Sequence, residues 1–187
     1  MKRRTLYVVL MVCCIVALCA CSSGSSRQKK AAAPAAPAFT LDKAYHALLV
    51  EDVEMVVSLR GHYPLAAGQL EAAMLAQLQT KSAFTEVGKA RAVALTADTL
   101  IVDANISDMR IVSGAARFWG GAMAGSSYIN VHLELKDAVS GQVLHTKELS
   151  SANNAFGAAW TGGSTDKSLP GDMGRITAEY IYSVMPK

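Results

Sequence analysis

Cysteine is the most reactive residue type in this chain, and it is confined to the N-terminal end. Cys21 directly follows the small residue Ala20 at the end of an apolar run. Beyond Cys21 the chain has no thiol, which excludes disulfides, thiolate zinc sites and cysteine nucleophiles from the remainder. The four cysteines of the 187 residues are Cys13, Cys14, Cys19 and Cys21.

Histidine is the next candidate for chemistry. The four histidines are scattered along the chain, at positions 46, 62, 132 and 145. His132 and Glu134 fall on one strand of a predicted hairpin, and His145 and Lys147 fall on the other. In one register, two histidines and a carboxylate would bind a metal there, but charged cross-strand pairs explain the same residues. We predict no metal and no cofactor.

Paired carboxylates and nucleophile motifs give little support for catalysis. Asp103 and Asp108 lie five residues apart on one predicted strand and face opposite ways if the alternation holds. The sequence has no Gly-x-Ser-x-Gly elbow and no His-Glu-x-x-His helix. It therefore predicts a protein that is not an enzyme, and a pocket of converging carboxylates would revive the alternative.

A glycine-rich run at residues 117–127 carries a more distinctive pattern. Gly120 and Gly125 have the spacing of a phosphate-binding loop, but no lysine follows and a strand, not a helix, comes next. The plainest interpretation of the run is a flexible connection between strands. Its apolar residues would form either a contact for a partner or an ordinary core-packing loop. The residues predicted for partner contact are Arg117, Phe118, Trp119, Gly120, Gly121 and Met123.

The first 20 residues have the organisation of a secretory signal peptide. Three basic residues at positions 2–4 precede an apolar stretch at 6–18, and a small residue stands before Cys21. The apolar stretch is shorter than the ~20 residues that a membrane-spanning helix needs.

The residues Leu-Cys-Ala-Cys at 18–21 resemble the lipobox of bacterial lipoproteins. The resemblance implies cleavage between Ala20 and Cys21, a diacylglycerol thioether on Cys21 and acylation of its new amine. Because Ser22 follows where retention in the inner membrane usually uses aspartate, the resemblance also implies the outer membrane. The protein would then face the periplasm.

Residues 21–38 are predicted to be the lipidated cysteine and a flexible tether. Polar, glycine and serine residues favour flexibility, and Pro34 and Pro37 favour extended conformations. At about 3 Å per residue, the tether would hold a domain up to roughly 50 Å from the bilayer. Residues 39–187 are predicted to form a single periplasmic domain.

The charge balance excludes a nucleic-acid partner. The chain has 18 Lys and Arg against 15 Asp and Glu, but three of the basic residues precede the predicted cleavage site. The mature protein would carry 15 of each sign. No basic stripe of the kind that binds phosphate backbones is present.

Within residues 39–187, the hydrophobic pattern predicts strand, helix, short strand, long strand, hairpin and helix in that order. The strands are predicted over 44–57, 84–87, 99–112, 128–136 and 142–149, and the first of them is expected to end or bend near Asp52. The first helix opens at Pro64, and residues 150–168 are predicted to be a long loop. The predicted buried faces of the two helices are Ala67, Leu70, Met74 and Leu78, then Met173, Ile176, Tyr180 and Val184.

Clean alternation in the later strands favours a mixed, largely antiparallel sheet with one solvated face. Helices packed on the other face would give an α+β two-layer sandwich.

From Arg117 onward the chain resembles a family of bacterial lipoproteins defined by domain of unknown function 4410. The resemblance covers roughly residues 44–185 and implies no established catalytic residues. A weaker likeness, at the level of the fold, is to the periplasmic domain of the curli secretion lipoprotein. The family resemblance is carried by Arg117, Gly120, Gly121, Gly125, the strand at 129–135, Asp137, Gly141, Val143, Leu144 and the pair Gly162-Gly163.

These observations lead to two function hypotheses of different classes. The first is a non-catalytic outer-membrane lipoprotein that acts as a periplasmic interaction or assembly module. Its partners would be the membrane, through the lipid anchor, and an envelope protein or a second copy. The second is a cell-wall or polysaccharide binding module in which Trp119 and Trp160 stack on sugar rings.

Overall fold

A mixed β-sheet occupies the centre of the computed structural model, which describes residues 39–89, 92–152 and 164–186. The strands are β1 (Ala47–Val50), β2 (Glu54–Met55), β3 (Glu86–Lys89), β4 (Thr99–Arg110), β5 (Tyr128–Asp137) and β6 (Val143–Ala152). β1 is parallel to both β3 and β4, and the two-residue β2 is parallel to β4. β5 is antiparallel to both β4 and β6, so the order is β3-β1-β4-β5-β6 with β2 beside β4.

Two long helices cover one face of this sheet, and the predicted α+β two-layer sandwich is confirmed. They are α2 (Ala66–Gln79) and α5 (Leu169–Ser183). The shorter helices are α1 (Val57–Arg60), α3 (Gly114–Gly120), a 3-10 turn (Gly121–Ala124) and α4 (Ser164–Lys167). Within the described ranges, no helix has the length and hydropathy to cross a membrane. The predicted signal peptide, Cys21 and the tether lie outside the described residues.

Alternation along β4 and β5 divides the sheet into an apolar face and a polar face. The apolar face packs beneath the helices, because burying aliphatic side chains there removes them from water. The opposite, open face carries the polar residues of β4 and β5. A small second apolar cluster, made of Ala47, Leu49 and Val93, covers the β1 end of this open face. The buried residues of the apolar face in β4 and β5 are Leu100, Val102, Ala104, Ile106, Ile129, Val131, Leu133 and Leu135.

A β-bulge in β4 overturns one prediction about the open face. The pairing with β5 shifts between Ile106 and Asp108, so that Asp108 lies opposite Asn130. Both Ser107 and Asp108 are exposed, and Met109 is the next residue of β4 whose side chain is buried. Asp103 and Asp108 therefore share the open face, because the extra residue of the bulge reverses the alternation.

The α2–α5 crossing explains why the predicted face of the C-terminal helix is partly wrong. Ile176 is exposed, whereas Gly174, Thr177 and Ala178 are buried. These small residues let the two helix backbones approach closely, since a Cβ built on Gly174 would lie 2.3 Å from the Leu70 carbonyl oxygen. The predicted face of α2 is confirmed at Leu70, Met74 and Leu78, with Ala66 buried more deeply than Ala67.

Two predicted connections also differ from the structure. The loop predicted over 150–168 is wrong at both ends, because β6 continues to Ala152 and α4 begins at Ser164. The run after Arg117, for which a flexible connection was the plainest interpretation, is helical through α3 and the 3-10 turn. Backbone hydrogen bonding in β6 therefore extends farther than its hydrophobic pattern.

Candidate functional site

The connection between β4 and β5 forms a helical protrusion, residues 114–125, which we call the tip. Ser113 precedes it and accepts a hydrogen bond from the Ala116 amide through its Oγ at 3.1 Å, which is the arrangement of a helix N-cap. Gly121 and Gly125 have φ angles of 51° and 88°, values that residues with a Cβ adopt at a cost. The turn geometry therefore depends on glycine at these two positions.

The base of the tip is tied to the sheet by polar contacts. The buried Ser127 Oγ accepts a hydrogen bond from the Val112 amide at 2.9 Å and so joins the two ends of the connection. The Arg110 guanidinium donates to the Ala124 carbonyl at 3.3 Å, close to Gly125. These contacts hold the tip while leaving its outer surface open.

The three large apolar side chains of the tip point into solvent. Phe118, Trp119 and Met123 are 79 %, 86 % and 95 % exposed, and the two aromatic rings meet edge to face at 5.1 Å. The core-packing interpretation of these residues is wrong, because all three side chains are exposed and none belongs to the buried core. Arg117 belongs to α3, and Gly120 and Gly121 join α3 to the 3-10 turn. A cluster of this kind is typical of a contact surface.

The tip and Phe39 lie at opposite ends of the sheet. Phe39, the first described residue, stacks on His145 of β6 with ring centroids 4.0 Å apart. His145 pairs with Leu135 near the end of β5, whereas the tip leads into Tyr128 at its start. Seven positions at ~3.3 Å per residue separate these ends by ~23 Å.

The sheet separates the histidines that sequence reasoning placed on one hairpin. His132 lies on the open face, where its ring contacts Glu148 and lies 3.4 Å from Glu134. The contact with Glu148, then that with Glu134, raises the pKa of His132, with burial opposing. His145 pairs with Leu135 of the apolar face, so the two imidazoles cannot bind one metal. Among the described residues, no group of three or more His, Cys, Asp or Glu side chains could hold a metal ion.

His145 belongs to an aromatic stack at the edge of the helix layer. Its Nε2 lies 2.7 Å from the Tyr180 hydroxyl, and its ring lies between those of Phe39 and Tyr180. Burial, then the nearby Lys147 ammonium, lowers the pKa of His145. The stack fixes the position of Phe39 against β6 and α5.

A polar depression of about 470 Å³ lies on the open face beside the β1–β2 connection. Lys136 Nζ lies 2.5 Å from Asp103 and 3.2 Å from Glu134, and Lys89 bridges Asp52 to Glu71. The Asn105 Oδ1 atom is buried here and has no hydrogen-bond partner in the part of the chain that the structure describes. The depression is lined by Glu51, Asp52, Glu54, Asp103, Asn105, His132 and Glu134.

A second groove of about 430 Å³ adjoins the depression and shares Glu54 with it. It runs between β2 and the start of α2, and the Arg60 Nε donates to the Met55 carbonyl at 2.9 Å along its wall. Sequence reasoning missed this groove, because its residues come from a strand too short to show periodicity. Its apolar lining is Val53, Met55, Tyr63, Pro64 and Ala67.

The model of the family described as domain of unknown function (DUF4410) matches residues 61–159, more than half of the chain. The chain therefore belongs to this family, as the residues from Arg117 onward predict. No protein of curated function matches the sequence at a significant level.

Solved structures share the architecture at low sequence identity. Protein XCC0632 from Xanthomonas campestris is 8 % identical, with a TM-score of 0.50 over 78 % of this chain and 87 % of its own. PelC from Paraburkholderia phytofirmans, a dodecamer, is 15 % identical, with a TM-score of 0.47 over 73 % and 91 %. A minor lipoprotein from Acinetobacter baumannii is 11 % identical, with a TM-score of 0.41 over 73 % and 89 %. At this identity only the likeness of fold to the first structure is informative.

Proposed function

We propose that this member of the family is a non-catalytic, lipid-anchored protein of the outer membrane that binds an envelope protein through its tip. The main support for this proposal is the exposure of Phe118, Trp119 and Met123 on a protrusion whose base is fixed to the sheet. Aromatic and methionine side chains are enriched where proteins meet. Burying these side chains against a partner would remove their apolar surface from water and so stabilise the complex.

The direction in which the tip projects supports a protein partner. The predicted tether would join the domain at the Phe39 end of the sheet, and the tip lies at the other end. A flexible attachment at the Phe39 end would leave the tip free to reach a partner away from the anchoring membrane. Two or more acyl signals make such anchoring stable, and confinement near a membrane raises the effective concentration for co-anchored partners.

The open face supports a role without catalysis. Asp103 and Glu134 are both paired with Lys136, and the Asp108 carboxylate accepts a hydrogen bond from the Tyr128 hydroxyl at 3.0 Å. These carboxylates act as partners in ion pairs and hydrogen bonds on the sheet surface. No nucleophile is oriented by a base among them, as covalent catalysis would require.

Photo-crosslinking in intact cells tests the proposed contact. A benzophenone amino acid replacing Trp119 or Met123 in the full-length protein should give a discrete adduct with an envelope protein. Val139 is the matched control, since it is also an exposed apolar residue but lies in the turn at the opposite end of the sheet. Monomer alone from both tip positions, or equal adducts from position 139, would exclude the tip as the contact.

Metabolic labelling tests the anchor separately. The full-length protein should incorporate palmitate, and Cys21→Ala should lose both the label and the association with membranes. Membrane fractionation that persists in Cys21→Ala would contradict the proposed location.

The exposure of Trp119 also favours a second candidate, a module that stacks on cell-wall sugars; Trp160, its predicted companion, lies outside the described residues. Purified sacculi would then retain the protein, and Trp119→Ala would reduce that retention. Retention unchanged by Trp119→Ala would exclude a carbohydrate role for the tip.

A further inference from the structure

The apolar groove between β2 and α2 has the character of a receptor for a protrusion like the tip. We call it the cleft and define it by Val53, Met55, Tyr63, Pro64 and Ala67. Its volume of about 430 Å³ is of the size that accommodates aromatic side chains. Its floor is fixed, because the Tyr63 hydroxyl accepts a hydrogen bond from the Ile111 amide at 3.1 Å.

The rim of the cleft is acidic. Glu54 lines both the cleft and the neighbouring polar depression, which adds four further carboxylates. Three cations neutralise part of this charge: Lys89, Lys136 and Arg60, the last of which lines the cleft itself. With Glu71, the second partner of Lys89, six carboxylates against these three cations leave three negative charges. Glu51 and Glu54 make no ion pair within the described residues. The cleft therefore favours an apolar occupant that carries positive charge.

The tip has the complementary character. From Met109 to Leu133 the sequence contains Arg110 and Arg117 and no aspartate or glutamate. Arg110 is exposed at the base of the tip, beneath the apolar cluster. The tip of a copy does not fill its own cleft, since Trp119 is almost fully exposed in the folded chain.

We propose that the tip of one copy packs into the cleft of a second copy of this chain. Phe118, Trp119 and Met123 would occupy the apolar lining, and the positively charged segment that carries them would lie beside the acidic rim. Because tip and cleft are different surfaces, the contact either is reciprocal across a two-fold axis or repeats from head to tail. The inference rests on the proposed function of the tip and specifies the partner as this same protein.

Mixed-disulfide trapping tests the inference directly. Full-length Met123→Cys and Ala67→Cys, each with a different affinity tag, are coexpressed and oxidised. The mature chain beyond Cys21 offers no competing thiol. We expect a disulfide-linked product that carries both tags. Glu54→Cys provides a second cleft position should Ala67→Cys fold poorly, and Val139→Cys paired with Ala67→Cys is the matched control, expected to give none.

Charge reversal sharpens the test. Glu54→Lys and Arg117→Glu should each lower the yield of the mixed product about two- to fivefold, and the combination of Glu54→Lys with Arg117→Glu in partner copies should restore it. Added salt should also lower the yield, because exposed charges are screened.

The outcomes separate the inference from the proposed function. A missing mixed disulfide, together with a discrete photo-adduct of the tip to a different protein, would overturn self-association and leave the contact role intact. A missing mixed disulfide and no adduct to any protein would overturn both.

Discussion

The helix layer and the tip contain the same kinds of apolar side chain in opposite environments. Met74 and Met173 are fully buried between α2, α5 and the sheet, whereas Met123 is almost fully exposed. Fully burying a side chain of this size stabilises a fold by roughly 1.5–3 kcal/mol, and exposing it contributes nothing. The stability of the domain therefore comes from the helix layer, and the apolar surface of the tip is free for intermolecular contact.

Crowding the helix layer should have the largest effect. Gly174→Ala places a Cβ 2.3 Å from the Leu70 carbonyl oxygen and 3.0 Å from the Met74 amide nitrogen, so α2 and α5 must separate. We expect a loss of about 3 kcal/mol or more in the free energy of unfolding, measured with urea. Gly68→Ala is the control: its Cβ would meet nothing within 4 Å, so it should be neutral or stabilising by up to about 1 kcal/mol. Equal effects at the two glycines would contradict the close crossing.

Truncating one methionine in each region tests the comparison itself. Met74→Ala should lower the free energy of unfolding by about 2–3 kcal/mol, because it leaves a cavity in the core. Met123→Ala should change it by less than about 0.5 kcal/mol. Urea unfolding of the two variants, measured in parallel, tests this difference. A large loss of unfolding free energy in Met123→Ala would show that the tip belongs to the hydrophobic core.

Removing the N-cap of α3 should destabilise that helix without lowering the stability of the whole domain. Ser113→Ala deletes the oxygen that accepts the Ala116 amide, a change of about 1 kcal/mol for a helix N-terminus. Amide hydrogen exchange in α3 should then accelerate about fivefold while the unfolding midpoint hardly changes. Ser113→Thr retains the acceptor and should exchange like the wild type. Equal acceleration in α5 would contradict independent opening of the tip.

The two histidines of the β5–β6 hairpin should give the smallest effects, with opposite signs. Glu148 holds the pKa of His132 above 6.5, so its stabilisation is present below pH 6.5 and is lost as pH rises through the raised pKa. Burial holds the pKa of His145 below 6.5, so stability falls as pH drops from 6.5 toward that lower value. NMR titration of the imidazoles checks the two directions.

Substitution converts these pKa directions into stability differences. His132→Gln should weaken the fold at pH 5.5 more than at pH 8, and His145→Gln should flatten the decline in stability below pH 6.5. Urea midpoints at pH 8, 6.5 and 5.5 provide the measurement. The same pH dependence in both variants would contradict their placement on opposite faces of the sheet.

Local patterns predicted most of the fold correctly. The alternation of apolar and polar residues predicted β4 and β5, and the helical spacing of Leu70, Met74 and Leu78 predicted α2. These predictions are correct because the apolar residues of the three elements are the ones that the fold buries. The same alternation predicted the polar residues of β5, which are half-buried on the open face. For the tip, sequence reasoning found the residues but not their environment, since apolar residues between glycines are compatible with burial or exposure.

The remaining features depend on contacts that no local pattern encodes. The face of α5 follows from the approach of α2 at Gly174, which leaves Ile176 outside. The bulge after Ile106 reverses the alternation and brings Asp108 to the open face. The cleft forms only where β2, α1 and α2 meet, so its residues have no common period in the sequence.

The sequence by itself determined that thiol chemistry is confined to the first 21 residues, that the sheet has an apolar and a polar face, and that the chain belongs to its family. Amino-acid composition and the spacing of apolar residues are properties of the chain itself. They do not depend on how its helices and strands pack. Only the tertiary structure decided that the tip is exposed, that it lies at the opposite end of the sheet from Phe39, and that an acidic-rimmed cleft accompanies it. The exposure of a side chain and its distance from other side chains are set by packing between elements far apart in the chain. The function that we propose depends on these two properties.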